Sequence, residues 1–128
     1  MTVLLDTHVL IWWIRDDPRL SRSARAIMDD SANKRLFSYA SLWEIAIKLK
    51  LGKLSIGGLK TLDLAFVLEK MEFILLPIQV EHIACLEKLD LLHRDPFDRM
   101  LIAQAQELGI PLVTNDAKIR QYPVKTIW

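Results

Sequence analysis

The sequence predicts an α/β fold in which a parallel sheet carries helices on its faces, and two observations make that prediction. Short β-branched or leucine-rich runs alternate along the chain with longer segments of helical period, the pattern that repeated strand-helix units leave in a sequence. The 128 residues are 52% hydrophobic and include only four glycines and five prolines, which suits one core without linkers. A single domain over residues 1–128 is therefore expected.

Thr2 to Leu5 reads as the first strand. A helix from about His8 to Ile14 should follow, stopped by Asp16-Asp17-Pro18 before a second helix from about Ser21 to Asp30. Leu36 to Ser38 is a short second strand. From Ser41 to Leu51 the apolar positions Leu42, Ile45, Ala46 and Leu49 repeat at helical spacing, and Gly52 ends the run as a C-terminal cap. Gly57-Gly58 marks a loop, Leu59 to Met71 another amphipathic helix, and Phe73 to Leu76 a buried strand closed by Pro77. Val80 to Leu89 should be a helix with Ile83, Leu86 and Leu89 inward. The segment His93-Arg94-Asp95-Pro96-Phe97-Asp98 then opens a long helix that Gly109 and Pro111 stop. Leu112 to Thr114 and Val124 to Ile127 read as the last strands, separated by a helical turn from Asp116 to Gln121.

Charge and cysteine content narrow the setting rather than the activity. Seventeen basic and 16 acidic residues leave a net charge of +1, so any attraction for a nucleic-acid backbone must come from local clusters. Cys85 is the only cysteine, which excludes an intramolecular disulfide and suits a reducing compartment; it reads as a small core residue. No signal peptide is evident, and the apolar runs are interrupted by charge before membrane-spanning length. A cytoplasmic protein with no membrane association is expected.

The acids fall in a pattern that matters more. Asp6 follows the first strand, Glu44 opens the third helix, Asp95 and Asp98 open the long late helix, and Asp116 follows the Leu112-Val113-Thr114 strand. Each stands near a helix N-terminus, where an acid caps free amides and complements the helix dipole. Ser41-Leu42-Trp43-Glu44 even has capping-box spacing. The same placement has a second consequence, because strand C-termini and the helix N-termini after them line the crevice where open parallel sheets bind ligands. Carboxylates gathered there repel one another unless a cation joins them, and hard divalent ions prefer oxygen ligands.

Four blocks carry a family resemblance: Leu4-Leu5-Asp6-Thr7-His8; Ser41-Leu42-Trp43-Glu44-Ile45 with Lys48 and Gly52-Lys53-Leu54; Asp95-Pro96-Phe97-Asp98-Arg99-Met100-Leu101-Ile102-Ala103-Gln104-Ala105; and Leu112-Val113-Thr114-Asn115-Asp116. In this order and spacing the chain resembles the PIN-domain nucleases, specifically the VapC-type toxins of bacterial toxin-antitoxin pairs. The resemblance implies a three-layer α/β/α sandwich around a central parallel sheet. It also implies Mg²⁺- or Mn²⁺-dependent endoribonuclease activity with one or two ions, an RNA substrate, homodimerisation, and inhibition by a VapB-type antitoxin through which any contact with DNA would run. Carried over by position, the family's four acids fall on Asp6, Glu44, Asp98 and Asp116, with Asp95 as an additional candidate ligand whose cap role is equally good. Thr7 and Thr114 adjoin or precede these acids and are candidates to orient a carboxylate through their hydroxyls. The expected chemistry is metal-assisted hydrolysis of an RNA phosphodiester, Asp6 and Asp98 holding the principal ion and Glu44 and Asp116 completing a first or second site.

Other chemistries have less support. His8, His82 and His93 with one cysteine show no zinc-site spacing, Gly57-Gly58 lacks the lysine and length of a P-loop, and no serine sits in a nucleophile elbow. His82 reads as a helix-surface residue; His8 and His93 stand near motif acids with a structural role as the default. Lys48, Lys50 and Lys53, and Arg15, Arg22 and Arg25, are candidates to guide a phosphate backbone, although Glu44 and Lys48 also have ion-pair spacing on a helix. Trp12 and Trp13 must point apart on a helix, while Trp43 reads as core. Two alternatives remain open at this level: a catalytically silent partner-binding domain whose acids are only caps, and a Mg²⁺-dependent phosphatase or receiver-type enzyme.

Overall fold

Side chains alternate across a strand, and here the alternation divides the apolar residues between two faces of one sheet. The computed structural model describes residues 1–128. Its strands are β1 (Thr2–Leu5), β2 (Lys34–Ser38), β3 (Ile74–Leu76), β4 (Leu112–Val113) and β5 (Thr126–Ile127). Its helices are α1 (Thr7–Ile14), α2 (Arg22–Asp29), α3 (Tyr39–Lys50), α4 (Thr61–Lys70), α5 (Val80–Leu86) and α6 (Pro96–Leu108), with a 3₁₀ turn at Ile119–Gln121. Val3, Leu5, Phe37 and Val113 point into a core shared with Leu10, Met28, Ile45, Leu64 and Leu68 from α1 to α4. Leu4, Leu36 and Leu112 point the other way, onto Leu101, Ile102 and Ala105 of α6 and onto Ile119 and Tyr122. The result is the three-layer α/β/α sandwich that the sequence predicts.

All five strands run parallel in the order β3-β2-β1-β4-β5. The chain builds outward from β1 through β2 to β3, then returns across the sheet to lay β4 on the opposite edge of β1, with Leu4 opposite Leu112 and Leu5 opposite Val113. The strand order reverses between β1 and β4, and in open α/β sheets a ligand crevice forms at the C-terminal ends of the strands at such a reversal.

Several expectations need correction. β2 begins at Lys34 instead of Leu36 because Arg35, 3% exposed, is admitted to the interior. Its guanidinium donates to the carbonyls of Met28 and Met71 and lies over the Phe73 ring. α3 starts at Tyr39, two residues early, because the Ser38 hydroxyl accepts from the Ala40 amide and serves as its cap. Ser41 and Glu44 therefore lie inside the helix and form no capping box. α5 stops at Leu86 and turns His82 inward and Ile83 outward. His82 Nδ1 accepts from the Gln79 amide at 2.9 Å and faces Gln104, so this histidine is core and not surface. Cys85 is half-buried, and Trp43 is 62% exposed instead of packed in the core. Trp12 and Trp13 do point apart, Trp12 to Trp128 and Trp13 to Phe73. α6 has the expected ends: Asp95 caps it, Pro96 opens it, and Gly109 closes it at φ 64°. No helix is long and apolar enough to cross a membrane.

Candidate metal centre

β1 delivers Asp6 to the mouth of the crevice, where one carboxylate oxygen accepts the His8 amide at 3.3 Å and so caps α1. The other accepts the Thr114 hydroxyl at 2.7 Å from the end of β4. Thr114 is wholly buried and also takes the Asp116 amide at 3.0 Å on its hydroxyl oxygen. One side chain thus ties two acids together across the strand-order reversal, although Thr114 and Asp6 are 108 positions apart in the chain.

Asp116 repeats the division of labour seen at Asp6. Its Oδ1 accepts the Lys118 and Ile119 amides at 2.8 and 3.1 Å, and its Oδ2 faces His93 Nε2 at 3.4 Å. These amides and the adjacent His93 outweigh the effect of burial and lower the pKa of Asp116. His93 Nε2 also lies 2.9 Å from Asp98 Oδ2. Because His93 Nδ1 accepts the Asp95 amide at 3.2 Å, the neutral ring carries its proton on Nε2, between the two carboxylates. His93, Asp98 and Asp116 hold their donor atoms within 4.8 Å of one another.

Capping accounts for Asp95 but not for Asp98 or Glu44. Asp95 Oδ1 accepts the Phe97 and Asp98 amides at 2.8 and 3.1 Å, so that oxygen is committed to the start of α6. Asp98, 5% exposed, sits one turn along and caps nothing. Burial, then the charges of Asp6, Asp95, Glu44 and Asp116, push its pKa from 3.8 up to about 8. Glu44 pairs through Oε2 with Lys48 at 2.8 Å, while its buried Oε1 has no partner at all. A buried carboxylate oxygen left unpaired is costly, and a cation in this cleft would relieve it together with the mutual repulsion of the acids. His8, at 3.8 Å from Asp6, has its pKa raised by that carboxylate.

Asp6, Glu44, Asp95 and Asp116 all lie near enough for their charges to act on Asp98, while only Asp98 and Asp116, with His93, hold donor atoms within 4.8 Å of one another. Thr114 joins this group; Thr7 does not, because its hydroxyl donates to Ser41 Oγ at 2.8 Å and ties α1 to α3. Two residues gain importance that the sequence reading did not give them. His93 bridges two acids. Tyr122 holds the loop that carries His93: its hydroxyl accepts the His93 and Leu92 amides at 2.8 and 3.1 Å and donates to the Asp90 carbonyl at 2.6 Å. Arg99 donates to the same carbonyl at 2.9 Å. The signal for His93 was present in its place just before the Asp95-Pro96 helix start, which sets it above the first turn; nothing local marks Tyr122. The carboxylate oxygens form a hard donor set that fits Mg²⁺ or Mn²⁺ better than a thiophilic metal.

A family model for the PIN domain matches residues 3–125. No functionally curated protein matches the chain in sequence. Among solved structures, a chain of VapBC2 from Rickettsia felis, captured with a DNA fragment from its promoter, is 17% identical. It superposes with a TM-score of 0.74 over 99% of this chain and 98% of its own. VapBC-1 from nontypeable Haemophilus influenzae is similar at 17% identity and TM-score 0.70, covering 99% and 97%. VapC20 from Mycobacterium tuberculosis, a toxin that cleaves the sarcin-ricin loop, matches at 13% identity and TM-score 0.68, covering 95% of each chain.

Proposed function

Because the chain belongs to the PIN-domain family, we propose that it is a Mg²⁺- or Mn²⁺-dependent endoribonuclease and the toxin of a toxin-antitoxin pair. One observation carries the reading: the carboxylate cluster at the strand-order reversal holds an unpartnered buried Glu44 oxygen, and burial, then the neighbouring carboxylates, lift Asp98 up to about 8. Caps alone would leave neither feature. Asp6, Asp98, Glu44 and Asp116 would hold the ion or ions, which fits the hard character of the donors. When bound, the ion supplies Lewis acidity, acidifying water and neutralising charge on the attacked phosphate.

The chain's own groups have definable parts in this chemistry. Thr114 orients Asp6 and Asp116, and His93 keeps Asp98 and Asp116 turned toward each other. Lys48 balances part of the charge on Glu44. A VapB-type antitoxin is the proposed partner, since structurally similar proteins include VapBC pairs, one of them solved with promoter DNA; a homodimer is the proposed assembly on the family resemblance alone. Contact with DNA would then run through the antitoxin, and the setting would be the cytoplasm.

The test is incubation of the purified chain, stripped of any co-purified partner, with total cellular RNA in Mg²⁺ or Mn²⁺. EDTA and the Asp6→Asn variant are the controls. Cleavage that needs both the metal and Asp6, leaving 5′-phosphate and 3′-hydroxyl ends, is the expected result. Ends carrying a 2′,3′-cyclic phosphate would remove water as the nucleophile. A folded protein that cuts neither single-stranded nor structured RNA would overturn the nuclease reading.

A further inference from the structure

The second turn of α3 and the first turn of α6 do two things at once. Glu44 and Asp98 point into the acid cluster, while the residues just before them, Trp43 and Phe97, line a cavity of about 300 Å³ with Ala40, Met100 and Ile78. Successive helix residues are about 100° apart, so the cavity and the cluster occupy adjoining sides of the same two helices. Both lie at the C-terminal edge of the sheet. Trp43 and Phe97 meet edge to face, with centroids 5.2 Å apart and planes at 86°. Trp43 nevertheless remains 62% exposed. A large aromatic left open beside a charged cleft has a chemical use that core packing does not explain.

We infer that the Trp43–Phe97 cavity is a nucleobase subsite that takes one unpaired base next to the phosphate being cut. This rests on the nuclease reading and deepens it. The acid cluster offers an RNA backbone repulsion and not attraction until a cation is present, so a contact with a base beside it would add grip that does not depend on that cation. Base stacking on aromatic side chains supplies such grip in single-stranded nucleic-acid binding. The cavity stands at the small end of ligand pockets, roughly 300–1,000 Å³, and accommodates one planar ring system. Its walls carry no charged side chain. The subsite therefore selects an unstacked, unpaired nucleotide without strong preference among the bases, because every base offers a face for stacking. It admits a loop or single strand and disfavours a continuous duplex.

The experiment is a binding cycle read by fluorescence anisotropy, independent of cleavage. Labelled single-stranded A12 and U12 RNAs, each with an abasic residue walked through its length, are titrated with wild type and Trp43→Ala in Ca²⁺. Wild type should lose about tenfold to a hundredfold in affinity at one abasic position, and Trp43→Ala should lose no more with that abasic RNA than with intact RNA. Trp43→Phe should restore most of the abasic penalty. A Trp43 that is only structural would weaken intact and abasic RNA alike, and that result overturns the subsite. So does an abasic penalty that survives in Trp43→Ala, or a shift from dimer to monomer in Trp43→Ala with RNA affinity unchanged, which would make the cavity a protein interface. Failure of the nuclease reading is seen separately, in whether wild type cuts RNA with Mg²⁺.

Discussion

Raising the pH should destabilise the metal-free protein, and replacing Asp98 with Asn should remove most of that effect. Burial and four neighbouring carboxylates lift the Asp98 pKa from 3.8 to about 8 in the folded state. The unfolded chain therefore releases this proton near pH 4, while the native state keeps it to about pH 8. Between these values the native state binds more protons, so stability falls as pH rises. A gap of about four pH units corresponds to ~6 kcal/mol at about 1.4 kcal/mol per unit. Water entering a cleft that is open on one side raises its effective dielectric and offsets roughly half of this, leaving ~3 kcal/mol. For a chain of this length that is on the order of 10 °C in Tm. Thermal unfolding followed by circular dichroism in EDTA, from pH 5 to pH 9, reads the effect. Wild type minus Asp98→Asn is the informative quantity, because groups titrating elsewhere cancel. The variant should melt higher than wild type at pH 9 and approach it at pH 5. Mg²⁺ should raise the wild-type Tm most at high pH and change the variant little. Parallel pH curves for the two proteins would refute the reasoning.

Three further outcomes follow from the hydrogen-bond geometry. Thr114→Val removes the donor to Asp6 and the acceptor for the Asp116 amide, and should weaken Mn²⁺ binding by about tenfold to a hundredfold in calorimetry; affinity within twofold of wild type would count against the bridging role. Tyr122→Phe strips the acceptor from the Leu92 and His93 amides, and should cost ~2 kcal/mol while speeding hydrogen exchange at those two amides above all others; uniform acceleration would point to global loosening instead. Arg35→Ala removes the guanidinium that donates to the Met28 and Met71 carbonyls and lies 4.1 Å from the Phe73 ring. It should cost ~3 kcal/mol in urea unfolding, and Arg35→Lys should recover less than half because an ammonium cannot serve both carbonyls in one plane.

The sheet and its layers were legible because alternation and helical period are local properties. The reading failed where tertiary partners decide. Arg35 hides the start of β2, since a charged residue reads as a strand end until the carbonyls that receive it are known. His82 looks like surface because the buried partner that faces it, Gln104, stands on a different helix. The acids near the site were visible as a pattern, but their division between cap and cleft was not. Asp6 and Asp116 each give one oxygen to helix amides and turn the other into the crevice, whereas Glu44 and Asp98 cap nothing. That distinction depends on which serine begins α3, and Ser38 and Ser41 are equally good caps in sequence.

The placement of β4 beside β1 also fixes when the crevice comes into being during synthesis. Residues up to Leu76 are enough to pair β1, β2 and β3, yet one edge of β1 stays bare until Leu112 and Val113 arrive. Thr114 arrives with them, so Asp6 has no hydroxyl to hold it before then. A chain stalled or truncated short of β4 is thus both incomplete at its acid cluster and exposed along a central apolar strand, where it invites pairing with other chains. Competence at the crevice and protection from aggregation are therefore acquired together, when β4 is added.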